Sequence, residues 1–156
     1  MHITRYTDYS LRVLIYLGLK RHELVTIKEI ADCYRISKNH LVKVVYELNR
    51  RGYIETIRGK GGGIRLRVRP DALPLGDFVR ETEQDLALVE CFAATDACRI
   101  SRPCRLKGVL RDALEAFFDH LNQYTLADLI EPEQDLGLAL GIRPFARSYH
   151  VSDKRN

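Results

Sequence analysis

The 156-residue chain carries 25 Lys and Arg against 21 Asp and Glu, with four cysteines, ten glycines, five prolines and no tryptophan. A hydrophobic share of 46% can build a core, which excludes wholesale disorder and collagen-like repetition, and four cysteines over this length exclude a disulfide-dense mini-protein. The longest apolar stretch of the N-terminal region, residues 13–19, falls far short of the ~20 residues of a bilayer span. Arg12 and Lys20 bracket it and no cleavage-site pattern follows, so a cytoplasmic location away from the membrane is expected.

Charge divides the chain. Residues 1–70 hold 15 Lys/Arg and 6 Asp/Glu, a balance of +9, whereas residues 71–156 hold 10 and 15, a balance of −5. Such asymmetry suggests a basic module for a polyanion joined to an acidic module with another task.

In chain order, a first helix is expected from about Thr7, as N-cap, to Lys20, with Leu11, Leu14, Ile15, Leu17 and Leu19 covering more than one stripe. A second opens at Thr26 with Glu29 three positions on, a capping-box pattern, and runs to about Tyr34. Ser37 caps a third, with Leu41, Val44, Val45 and Leu48 inward and Gly52 just past its end. Short helix, tight turn and longer helix with a polar start is the helix-turn-helix layout. Residues 53–58 and 64–69 then alternate like strands around a glycine-rich turn, a hairpin that reads as a wing. The glycine run lacks the following helix and Gly-Lys-Ser/Thr ending of a phosphate-binding loop.

The expected DNA-contacting set is Thr26 and Lys28 on the second helix, Ser37, Lys38, Asn39, His40 and Lys43 on the third, and Arg58, Lys60, Gly61 and Arg65 on the wing, where Arg67 joins them. Asn and Lys can pair with base edges, whereas Lys and Ser more often hold phosphates. His40 fits a base contact and an ordinary surface residue equally well. Double-stranded DNA is the expected partner. No nucleotide or flavin motif and no Ser/His/Asp arrangement points to an enzyme.

In the acidic half a short helix starts near Leu73–Phe78 with Pro74 in its first turn. A stretch without regular pattern follows, holding Cys91, Cys98 and Cys104. From about Arg105 to Tyr124 apolar residues recur at steps of three and four over roughly half the circumference. A face so wide suits a second long helix, so a homodimer is expected, as a two-fold DNA site requires. The cysteine spacing does not match zinc-ribbon or finger patterns and better suits an iron–sulfur cluster; a thiol switch remains open. Cys33, inside the second helix, reads as a small buried apolar residue.

The expected fold is therefore mainly α with a small β-hairpin: a winged helix-turn-helix (1–70), a cysteine loop and long C-terminal dimerisation helix (71–130), and a tail (131–156) read as flexible.

Residues 7–12 (TDYSLR), 38–45 (KNHLVKVV), 58–66 (RGKGGGIRL) and 104–109 (CRLKGV) together resemble the nitric-oxide-sensing repressors of a winged-helix family of iron–sulfur regulators that also includes IscR. The resemblance covers about residues 1–130. It implies that Cys91, Cys98 and Cys104 hold an iron–sulfur cluster, 4Fe–4S in this branch with 2Fe–2S as the alternative. It further implies a fourth ligand, Asp8, supplied by the other subunit. IscR-like members carry a histidine three positions after the last cysteine; Lys107 stands there, and the gap between Cys91 and Cys98 is longer than is usual in the family. Arg12, one turn after Asp8, suits either a surface ion pair or a partner that receives Asp8 when the cluster is lost. The implied function is a nitric-oxide-responsive repressor that binds a palindromic operator and leaves it when the cluster is nitrosylated. The alternative is a regulator of the same family that reads iron–sulfur status or redox state.

Overall fold

The structure is a computed structural model and describes residues 2–83, 85–92 and 98–142. Helices α1 (Arg5–Leu19), α2 (Ile27–Tyr34) and α3 (Lys38–Arg50) precede a hairpin of β1 (Ile54–Ile57) and β2 (Gly63–Leu66). Then come α4 (Leu75–Thr82), α5 (Arg105–Leu121), α6 (Leu126–Ile130) and α7 (Glu133–Ala139). The chain is mostly helical with one two-stranded antiparallel sheet, the winged helix-turn-helix expected from its pattern.

The core forms where the apolar stripes of the first three helices meet the hairpin. Leu14, Leu17, Ile30, Leu41, Leu48, Ile54 and Ile64 are fully buried, joined by Phe78 of α4 and Leu126 of α6. At about 1.5–3 kcal/mol for each such side chain removed from water, this cluster dominates the stability of the basic half. All four expected inward residues of α3, Leu41, Val44, Val45 and Leu48, are buried in it.

Capping differs in detail from the sequence pattern. The N-cap of α1 is Thr4, whose hydroxyl accepts the Thr7 amide at 3.3 Å. Thr7 lies inside the first turn and is fully buried, its own hydroxyl turned toward Thr82. Thr26 caps α2 by accepting the Glu29 amide at 3.1 Å, but Glu29 turns to Tyr16 and Lys20 of α1 instead of completing the box. Ser37 stands at the α3 cap position without a side-chain capping bond. Between α2 and α3, Arg35 takes a left-handed conformation (φ 53°), and the Ile36 amide reaches back to the Ala31 carbonyl at 3.0 Å. That closure makes the turn tight in a place where glycine is the usual residue.

In the wing, Ile54 pairs with Leu66 and Ile57 with Gly63, and Val25 bridges to Ile64 on the other side. Gly59 and Gly61 have positive φ, as a tight tip requires. Gly62 and Gly63 serve a different purpose: a Cβ would lie 2.2 Å from the Ile57 carbonyl oxygen and 2.8 Å from that of Val25.

Pro74 is the N-cap of α4, and Gly76 lets α5 approach so closely that a Cβ would sit 2.4 Å from the Phe118 carbonyl oxygen. Helix α5 begins after Cys104 and ends at Leu121, three residues earlier than its apolar spacing suggests. Of its side chains only Phe118 is buried, and Leu106 and Val109 are 61% and 62% exposed. Residues 133–139, within the segment read as a tail, form α7, and Leu140 after it accepts a hydrogen bond from the Cys33 thiol at 3.2 Å. Cys33 is half-buried, and burial, followed by the Glu29 charge, pushes its thiol up.

Candidate functional site

The polar start of α3 stands clear of the core: Ser37, Lys38, Asn39, His40 and Lys43 are exposed. Helical geometry separates this face from the buried stripe. Val42 and Tyr46, which the polar motif search passed over, are 45% and 65% exposed on the same helix. They add apolar surface of the kind that packs on thymine methyl groups. Thr26 and Lys28 are exposed on α2, with the Lys28 ammonium 2.6 Å from the Asp32 carboxylate. On the wing Arg58, Lys60, Gly61 and Arg65 are exposed. Arg65 is paired across the strands with Glu55, so of these residues Arg58 and Lys60 at the tip present the less neutralised charge. Helix start and wing tip are the two features with which a winged helix meets a major groove and the flanking backbone.

The second cluster of expected residues begins on α1. Asp8 and Arg12 form a two-point ion pair, Nε to Oδ1 at 3.0 Å and Nη2 to Oδ2 at 2.9 Å. The carboxylate raises the guanidinium further above its usual value. Both side chains are more than two-fifths exposed, so the pair contributes under ~1 kcal/mol and Asp8 is readily given up to a stronger partner. The Arg12 guanidinium lies 5.9 Å from the ring centres of both Tyr9 and Tyr34. Burial, then the charge of Cys33, pushes the Tyr34 hydroxyl up to about 12, against the opposing pull of the Arg12 cation. Tyr9 in turn sits against His40 with ring centres 6.4 Å apart. Asp8, Arg12, Tyr9 and His40 thus form a continuous path from the first turn of α1 to the first turn of α3.

The three cysteines of the acidic half lie on one segment, none in a disulfide. Cys91 is half-buried in a short 3-10 turn, Glu90–Phe92, Cys98 is exposed, and Cys104 is the N-cap of α5. Lys107 is turned aside, its ammonium donating to the Ser101 hydroxyl at 2.8 Å. Among the described residues no three His, Cys, Asp or Glu side chains converge on one point within the chain.

Residues 3–132 match the Rrf2 family, described as iron-dependent transcriptional regulators. The chain belongs to the Rrf2 family. It is 57% identical over 132 residues to the HTH-type transcriptional regulator NsrR of Bacillus licheniformis, a match covering 83% of this chain and 92% of that one. With the Bacillus subtilis NsrR it shares 54% over 138 residues, 87% and 94% of the two chains. Among solved structures, the global cysteine regulator CymR of B. subtilis aligns with a TM-score of 0.64 at 28% identity, covering 85% of this chain and 98% of that one. The two NsrR relatives are named as transcriptional regulators and not as enzymes, and a regulator of transcription acts on DNA.

An Rrf2 protein described as iron-dependent calls for a donor set that suits iron. Thiolates from Cys91, Cys98 and Cys104 with a carboxylate from Asp8 meet that requirement in donor chemistry. Cys104 stands at the start of α5, and Asp8 is held by an exposed ion pair. No helix of the described residues is long and apolar enough to cross a membrane.

Proposed function

We propose that this Rrf2 regulator is a homodimeric, nitric-oxide-responsive repressor whose DNA-binding face is set by an iron–sulfur cluster shared between subunits. Cys91, Cys98 and Cys104 of one chain and Asp8 of the other would hold the cluster, of the 4Fe–4S type. When bound, the cluster supplies iron with which nitric oxide reacts. The observation that carries the proposal is the position of Asp8, one turn of α1 away from Arg12 and joined through Tyr9 to His40 at the start of the recognition helix. With Asp8 engaged elsewhere, Arg12 is left to the rings of Tyr9 and Tyr34; with Asp8 released, Arg12 takes it back in the pair seen here. Either arrangement changes what Tyr9 leans on, and Tyr9 touches the helix that reads DNA.

Dimerisation is supported by α5. Leu106, Val109, Ala113 and Ala116 share one exposed face at three- and four-residue steps, along a helix about 26 Å long at 1.5 Å per residue. Pairing these faces would put two recognition helices on one palindromic operator with half-sites about one helical turn apart. Lys38, Asn39, His40 and Lys43 would read the major groove, with Arg58, Lys60, Gly61 and Arg65 on the flanking backbone and Thr26, Lys28 and Ser37 on phosphates.

The test is operator binding by anaerobically reconstituted protein before and after nitric oxide. A loss of ~3 kcal/mol, more than a hundredfold in affinity, is expected, and unchanged affinity refutes the proposal. Asp8→Ala is expected to change the cluster's Mössbauer spectrum without abolishing it.

A further inference from the structure

The last three residues of α4 and its C-cap, Arg80 to Glu83, tie the helix to three parts of the molecule. Arg80 reaches α5, pairing with Glu115 at 2.7 Å and lying 4.1 Å over the Phe118 ring. Glu81 reaches the end of the recognition helix and the start of the wing: its carboxylate and carbonyl both accept from Arg51, at 2.7 and 3.0 Å, and its second carboxylate oxygen accepts from the Tyr53 hydroxyl. Thr82 meets the buried Thr7 hydroxyl of α1 at 3.0 Å. Glu83 accepts from both the amide (2.8 Å) and the hydroxyl (3.1 Å) of Thr4, the N-cap of α1. Successive residues of a helix point about 100° apart, so one turn can face three or four neighbours at once. In the sequence, the cysteine segment follows this turn.

We infer that the last turn of α4 is the junction through which the acidic half sets the recognition helix, with Glu81 and Glu83 as its positioning residues. The inference rests on the proposed function and deepens it. A movement of the cysteine segment relative to α5 pulls on α4. Through Glu83 and Thr82 it is felt at the first turn of α1, one residue from Asp8. Through Glu81 it is felt at Arg51, directly after α3. The path is short and made of directional hydrogen bonds, so it transmits orientation better than an apolar contact of the same size. Glu81 is bound tightly enough to be held ionised: burial alone would raise its carboxyl, but hydrogen bonds from Tyr53 and Arg51 bring it below its usual value.

The experiment measures operator affinity before and after nitric oxide for the reconstituted wild type, Glu81→Gln, Glu83→Gln and the milder Tyr53→Phe. Arg69→Gln is the control, removing an exposed ion pair with Asp71 that does not touch α4. Cluster absorbance and thermal unfolding are followed on each sample. The junction variants are expected to keep the cluster spectrum while the ratio of affinities falls below about tenfold, a coupling of under ~1.4 kcal/mol. The control should retain the wild-type ratio. Tyr53→Phe deletes one hydroxyl and keeps the ring packed on Phe78, so it remains informative if a charge-removing variant fails to fold. A responsive wild type whose folded variants keep the full ratio overturns the inference alone. A wild type indifferent to nitric oxide overturns the proposed function and the inference with it.

Discussion

The hydroxyl pair Thr7–Thr82, inside the joint between α1 and α4, makes a quantitative prediction. Thr7 is 0% and Thr82 1% exposed, with the oxygens 3.0 Å apart. The Thr82 proton goes to the Phe78 carbonyl at 2.8 Å, so Thr7 is the donor of the pair and Thr82 the acceptor. Thr7→Val puts a methyl against the Thr82 oxygen, removing that hydrogen bond together with the longer one from the Thr4 hydroxyl (3.2 Å) and leaving a buried acceptor short, for about 1–2 kcal/mol. Thr82→Val takes from the Thr7 proton its buried acceptor, leaving it the Thr4 oxygen at 3.2 Å, and costs about 1–2 kcal/mol. In the double variant methyl meets methyl and nothing polar is left unsatisfied, so its loss is expected to be smaller than the sum of the singles by about 1–2 kcal/mol. The assay is equilibrium urea unfolding at fixed protomer concentration, since the stability of the proposed dimer would depend on concentration. Each single variant should lower the midpoint by roughly 0.5–1 M, given slopes of about 1–3 kcal/mol per molar. Additive losses in the double variant would refute the claim that the two hydroxyls act as a pair.

Two further outcomes are expected. Leu106→Asp places a carboxylate on the exposed apolar face of α5, and sedimentation should show monomers where the wild type is dimeric, with operator affinity down more than a hundredfold; a dimeric variant would remove that face from the interface. For Glu29, burial alone would raise the carboxyl, but hydrogen bonds from Lys20 and Tyr16 outweigh it and hold its pKa below the ordinary 4.5. Its contribution to stability is therefore full above pH 4.5 and lost as pH falls through the lowered folded value. With a third of the side chain exposed this amounts to about 1 kcal/mol or less, and Glu29→Gln should flatten the acid limb of the unfolding midpoint plotted against pH.

Local pattern carried much of the fold. The inward set of α3, the Thr26 cap, the Gly52 terminus and the two positive-φ glycines of the wing tip are each decided by neighbours within a few residues, so periodicity and turn chemistry expose them. The α1 cap is displaced to Thr4 because Thr7 is claimed by Thr82, 75 residues on. Gly62 and Gly63 answer to close carbonyls, that of Ile57 across the turn and that of Val25 on a separate segment. The path through Tyr9 to His40 was equally hidden, since a tyrosine on an amphipathic helix carries no mark of the ring it will meet.

The sequence by itself determined the division of charge, the order of helices and wing, and the residue types that can contact DNA. These follow from composition and short-range spacing, which act before the chain has folded, whereas Asp8 as a partner of the cysteines was implied only by the family resemblance. Only the tertiary structure decided how the halves are joined. Arg80, Glu81, Thr82 and Glu83 are an unremarked polar run until helical geometry spreads them over three neighbours, and the start of α1, the residue after α3 and Glu115 of α5 come within hydrogen-bond reach of one turn. The physical reason is range: a hydrogen bond specifies its partner by position in space, and residues 4, 7, 51 and 115 share a position with that turn only once the core has closed.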